Sequence, residues 1–203
     1  MNADPALRRK WFELWDAKNY LQYAAGSCPV LWCDGTNDRW YTLEMLKRSC
    51  DLLGPSVPLT LSIKLRMPHG HPPYGDPKEI TACADHYLKG GPRPAKIESA
   101  HVDGSRFVAD FSEGGMKVVG AEFLWTCATN VVLRDREWLS RPADEFDAAG
   151  GRCAAALPQG VVMFLMSLTT ADGLKFSTGP FGREDVSRDC GARHSCGIIG
   201  KNR

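Results

Sequence analysis

One aspartate and two histidines, Asp38, His69 and His71, stand out as candidates for acid–base chemistry. Asp38 closes the segment DGTND, which follows the apolar run at 30–33. His69 and His71 lie in MPHGH, which follows a second strand-like run at 57–65. An acid and then a histidine, each just past the end of a strand, is the late half of a Ser-Asp-His hydrolase site. There the buried carboxylate holds the imidazole in one tautomer and stabilises the imidazolium, while the imidazole takes the proton of a hydroxyl nucleophile. The plainer reading of Asp38 is a helix cap in a strand-to-helix turn.

Apolar spacing shows the strands and helices that would carry these side chains. VLWC is a short continuous apolar run, as expected of a strand buried on both faces of a parallel sheet. Asp, Gly and Asn in DGTND favour a tight turn. Residues 40–53 read as a helix with Leu43, Leu46 and Cys50 on one face, stopped at Gly54-Pro55. VPLTLSIKL alternates apolar and polar residues as a second strand. A helix over 77–88 follows, closed by Lys89-Gly90-Gly91. Strand, helix, strand implies a parallel pair, which places both loops at the carboxyl edge of a sheet, where open α/β sheets keep their working residues. Upstream, Leu7, Trp11, Leu14 and Trp15 recur at helical spacing, and we expect them to pack as one face of an amphipathic helix.

From residue 97 the character changes to short strand-like runs, KIESAHV, RFVADFS, KVVGAEFLWTCAT, CAAALP, VVMFLMSLTT and LKFSTG, separated by Gly-bearing turns. This pattern predicts an immunoglobulin-like sandwich over 95–181, with Trp125 and Trp138 filling or flanking its core. The tail, 182–203, is poor in apolar residues and is expected to be disordered.

Composition narrows the function classes. The chain has 203 residues, is 43% hydrophobic and carries a formal net charge of +1 with mixed signs along its length. This is enough chain for a packed core, and no nucleic-acid or membrane partner is expected. VVMFLM is too short to cross a bilayer, and the first residues show no apolar signal region; the compartment stays open. The eight cysteines form no CxxC pair. Cys190, His194 and Cys196 cluster in the Gly-rich tail, without the spacing of a structural zinc site, so neither metal nor cofactor is expected.

VLWCDGTNDRWYTLEML, LSIKLRMPHGH and PKEITACADHYLKGG together resemble the α/β-hydrolases of the acetyl-xylan-esterase, dienelactone-hydrolase and prolyl-oligopeptidase kind, bacterial members above all. The resemblance runs over roughly residues 11–181. It implies an α/β fold, the C-terminal part of an α/β-hydrolase sheet over 1–91, followed by the appended β domain. It also implies that Asp38 is the triad acid and His69 or His71 the base, with His69 favoured because His-Gly fits the family pattern. Asp34 is a competing acid where the family carries Asn, Cys33 stands where an apolar residue is usual, and Pro72 replaces a glycine after the second histidine.

The family's nucleophile elbow, GxSxG on a strand-to-helix turn, occurs nowhere before Asp38. Ser27 in AGSCP lacks the second glycine, and Ser195 lies on the wrong side of the order Ser, Asp, His. Asp85 and His86 are neighbours on a helix and point apart, so they read as surface residues. The expectation is therefore a fragment of a serine ester hydrolase, acting on a small ester or an acetylated carbohydrate and inactive without its serine. It is expected to self-associate through the sheet edge at 30–33. The alternative is a non-catalytic interaction or carbohydrate-binding protein.

Overall fold

The computed structural model describes residues 4–23, 28–53, 56–70, 76–129 and 135–186. Its elements run α1 (Pro5–Trp15), α2 (Lys18–Leu21), β1 (Val30–Asn37), α3 (Leu43–Leu52), β2 (Leu59–Pro68), α4 (Lys78–Lys89), β3 (Lys96–Asp103), β4 (Arg106–Ser112), β5 (Val118–Thr126), β6 (Leu139–Pro142), β7 (Glu145–Asp147), β8 (Arg152–Ala156), β9 (Met163–Thr170), β10 (Lys175–Ser177), β11 (Phe181–Gly182) and α5 (Arg183–Val186).

Antiparallel strands dominate. One sheet is ordered β3-β4-β8-β7; the second is ordered β10-β9-β5-β6, with β11 also paired to β9. Between the two sheets lies a core of Phe107, Ala109 and Phe111 from the first, and Phe123, Phe164, Met166 and Leu168 from the second. Phe107 meets Phe164 and Phe181 edge to face with ring centroids 5.0 and 4.7 Å apart, a geometry that aromatic quadrupoles favour.

Side chains alternate across a strand, so the residues between these point the other way. Leu124, Met163 and Leu165 form a second cluster with Trp138, with Leu43, Leu46 and Cys50 of α3, and with Leu59, Leu61 and Ile63 of β2. The central strand β9 is thus buried on both faces. That explains why β9, MFLMSLTT, reads as a continuous apolar run rather than an alternating one.

The expected fold class is corrected by this arrangement. β1 and β2 do pair in parallel, but as a sheet of two strands, and the chain is mostly antiparallel β, not the C-terminal part of an α/β-hydrolase followed by a separate sandwich. The physical reason is coverage. Two parallel strands cannot bury their own faces. Here the apolar face that suggested missing hydrolase strands is covered by α3 and by Leu124 and Leu165 of the antiparallel sheet. α4, carrying buried Cys83, ends at Gly90 in the left-handed conformation (φ 71°) that glycine adopts without strain.

Two other expectations meet different structure. Leu7, Trp11, Leu14 and Trp15 lie on a helix as their spacing predicts, but α1 buries none of its residues. At the start of the tail, Gly182 pairs with Met163 and residues 183–186 make a helical turn. Residues 187–203, with Cys190, His194 and Cys196, are outside the described residues.

Candidate functional site

DGTN continues β1 instead of turning, so the turn begins only at Asp38. The Asp38 backbone N–H donates to Gly35 O at 3.1 Å, and Asp38 Oδ1 accepts the backbone N–H groups of Trp40 and Tyr41 at 2.7 and 2.9 Å. This side-chain-to-backbone turn is the reason an aspartate suits the position locally. It leaves Oδ2 for another donor. That donor is His69, just past the end of β2, whose Nδ1 lies 2.8 Å from Asp38 Oδ2.

The two strand ends expected to meet therefore do, and they bring Asp38 and His69 into direct contact. Asp38 is buried, while the His69 side chain is 43% exposed, which leaves Nε2 for a reacting group. With Nδ1–H donating to the carboxylate, the neutral ring presents Nε2 as an acceptor. The Tyr41 ring lies against the imidazole, centroids 5.4 Å apart. Tyr41 and its neighbour Trp40 are large exposed aromatics, 64% and 61% exposed, and the Arg39 guanidinium sits 5.1 Å from the Trp40 ring centroid. His71 falls outside the described residues, as do Ser27 and Ser195.

Asp34, the competing acid, is also buried, and its Oδ1 accepts the Gly35 N–H at 2.7 Å. Burial, joined by the nearby charge of Asp38, pushes its carboxyl up to about 7, against lowering by the Gly35 N–H and by His69. Asp34 thus sits beside the dyad as a carboxyl inclined to hold its proton, and Asp38 is the partner in contact with the imidazole. Asp85 and His86 form no pair: Asp85 bonds to Lys89, and His86 Nδ1 lies 2.9 Å from Gly91 O.

Residues that sequence reasoning missed surround the dyad. Trp40 and Tyr41 read in the sequence only as the start of a helix. Arg66 and Thr36 carry no signal there, because their roles depend on pairing across strands. A separate cleft, lined by Leu59, Ala95, Ser99, Phe176 and Thr178, contains neither dyad residue. Among the described residues no group of three His, Cys, Asp or Glu is placed to hold a metal ion.

No family model matches the chain, and no curated protein does. Among solved structures it is similar to a carbohydrate acetylesterase from Xanthomonas citri, with 15% sequence identity and a TM-score of 0.38 over 75% of this chain and 40% of that one. The chain thus spans well under half the length of that structure, and the likeness carries neither fold nor activity.

Proposed function

We propose that Asp38 and His69 are the acid–base half of an ester-hydrolysing site. The observation that carries this reading is the 2.8 Å contact between His69 Nδ1 and Asp38 Oδ2, with the His69 side chain 43% exposed. Asp38 fixes the tautomer and stabilises the imidazolium; His69 Nε2 accepts the proton of the attacking hydroxyl and returns it to the leaving alcohol. In the chain alone the attacking hydroxyl is that of water, a slower nucleophile than the serine hydroxyl a second chain could supply. The substrate is a small acyl ester, an acetyl group on a carbohydrate above all. Tyr41, whose ring lies against His69, and its exposed neighbour Trp40 offer ring surface on which a sugar can lie.

The same aromatics support a second reading, a non-catalytic carbohydrate-binding protein in which the Asp38–His69 bond only locks the loop bearing them.

The experiment is hydrolysis of 4-nitrophenyl acetate by the full chain, by His69→Ala and by Asp38→Asn. The catalytic reading expects turnover above the buffer rate that is lost in both variants. Equal rates in the parent chain and His69→Ala would overturn it in favour of the binding reading.

A further inference from the structure

His69 is delivered to Asp38 by an irregular stretch of β2. The strands pair regularly from Val30 with Leu59 to Gly35 with Lys64, and then Asn37 pairs with Pro68. Over that step β2 takes more residues than β1, so it bulges. Bulges re-aim side chains and recur beside active sites.

Arg66 sits in the bulge at φ 56°, the one non-glycine residue with positive φ among those described. A long side chain in the left-handed region is strained and persists only where surrounding structure fixes it. The fixing groups all come from the GTN of β1 and from the fully buried Trp138. Thr36 Oγ1 accepts the Arg66 N–H at 2.7 Å, and the Arg66 guanidinium donates to Trp138 O at 2.9 Å. The single Thr36 hydroxyl proton goes to Asn37 Oδ1 at 2.9 Å, and Asn37 Nδ2 donates to Arg136 O at 2.8 Å. Gly35 leaves the space: a Cβ there would fall 1.9 Å from the Met67 carbonyl oxygen.

We propose that Thr36, Asn37 and Arg66 are positioning residues that hold the β2 bulge in the one conformation that brings His69 Nδ1 to Asp38. Each residue of GTND then has its own role. Gly35 admits the bulge, Thr36 clamps it, Asn37 orients the clamp, and Asp38 receives the imidazole. The inference deepens the acid–base reading of the site, since it assigns the residues that aim the base, but its test needs no substrate.

The test is nitrogen-15 NMR of the histidine rings in the full chain, which reports which ring nitrogen of His69 carries the proton. The parent chain is expected to show His69 protonated at Nδ1. Thr36→Val, which keeps the shape but removes donor and acceptor, is expected to lose that signature and exchange between tautomers; Thr36→Ser, which keeps the hydroxyl, is expected to retain it. Should Thr36→Val not fold, Arg66→Met, which removes the bond to Trp138 O, gives the same reading. The proposal is overturned if a folded Thr36→Val or Arg66→Met chain keeps the parent's His69 spectrum, or if the parent shows no Nδ1 proton. A parent chain with the expected spectrum but no ester hydrolysis would sink the catalytic reading and leave the positioning role standing.

Discussion

Glu79 on α4 meets the Lys64 ammonium of β2 at 2.5 Å although only 1% of Glu79 is exposed. The same carboxylate oxygen accepts the backbone N–H of Lys175 on β10 at 2.7 Å. One buried charge thereby ties the parallel pair, the helix behind it and the antiparallel sheet together. Lys64→Met removes the counter-charge and leaves the carboxylate buried without its cation, which costs about 3 to 5 kcal/mol. Chemical denaturation of parent and variant measures it, and a loss below about 1 kcal/mol would show that the carboxylate finds water instead.

The third layer makes its own prediction. Leu165 is fully buried on the face of the antiparallel sheet that carries α3 and β2, opposite the sandwich core. Leu165→Ala should cost about 2 to 5 kcal/mol, as truncations in a packed core do. If that face were only loosely covered, the loss would fall near the cost of an exposed leucine.

Asp34 sets a pH dependence. Burial and Asp38 raise its carboxyl to about 7 in the folded chain, from the ordinary aspartate value of 3.8. The folded state therefore binds the proton more tightly than the unfolded state. The associated stability is fully present below about pH 4 and is lost as pH rises towards 7. The full effect is on the order of 4 kcal/mol as an upper bound. Asp34→Asn should flatten this slope in denaturation midpoints measured between pH 4 and 8; an unchanged slope would mean that water reaches the carboxyl.

At the dyad, Asp38→Asn should lower any ester turnover by up to about 10⁴-fold, the scale expected when the carboxylate that fixes the histidine's tautomer becomes an amide. It should also loosen the loop, because Asp38 Oδ1 holds the Trp40 and Tyr41 amides. Trp40→Ala separates sugar binding from the chemistry at His69. It is expected to raise KM for an acetylated oligosaccharide severalfold while leaving 4-nitrophenyl acetate turnover unchanged. An equal effect on both substrates would remove Trp40 from sugar binding.

The outer edge of β1 predicts self-association. Among the described residues β1 pairs only with β2, and its first four residues are only partly buried. An open apolar edge templates pairing with another chain. Light scattering at rising concentration should show dimers or larger species, and a monomer throughout would count against the edge as a contact.

Local elements were legible in the order of residues. Apolar spacing placed Leu43, Leu46 and Cys50 on the inward face of α3, and turn residues separated the antiparallel strands near where they occur. DGTND and MPHGH marked Asp38 and His69 as a pair that could meet, because a carboxylate and an imidazole near strand ends are visible in residue type alone. The packing of these elements against one another set the rest. It turned what read as half of a hydrolase sheet into a third layer on an antiparallel one, since periodicity shows that a face is apolar but not what covers it. It put Asp38, which the family pattern favoured over Asp34, in direct contact with His69, because cross-strand distance is set only by the pairing of β1 with β2. It also showed why Gly35 and Thr36 stand before that aspartate: the close approach of Met67 and the strained backbone of Arg66 arise from a strand about thirty residues further along the chain.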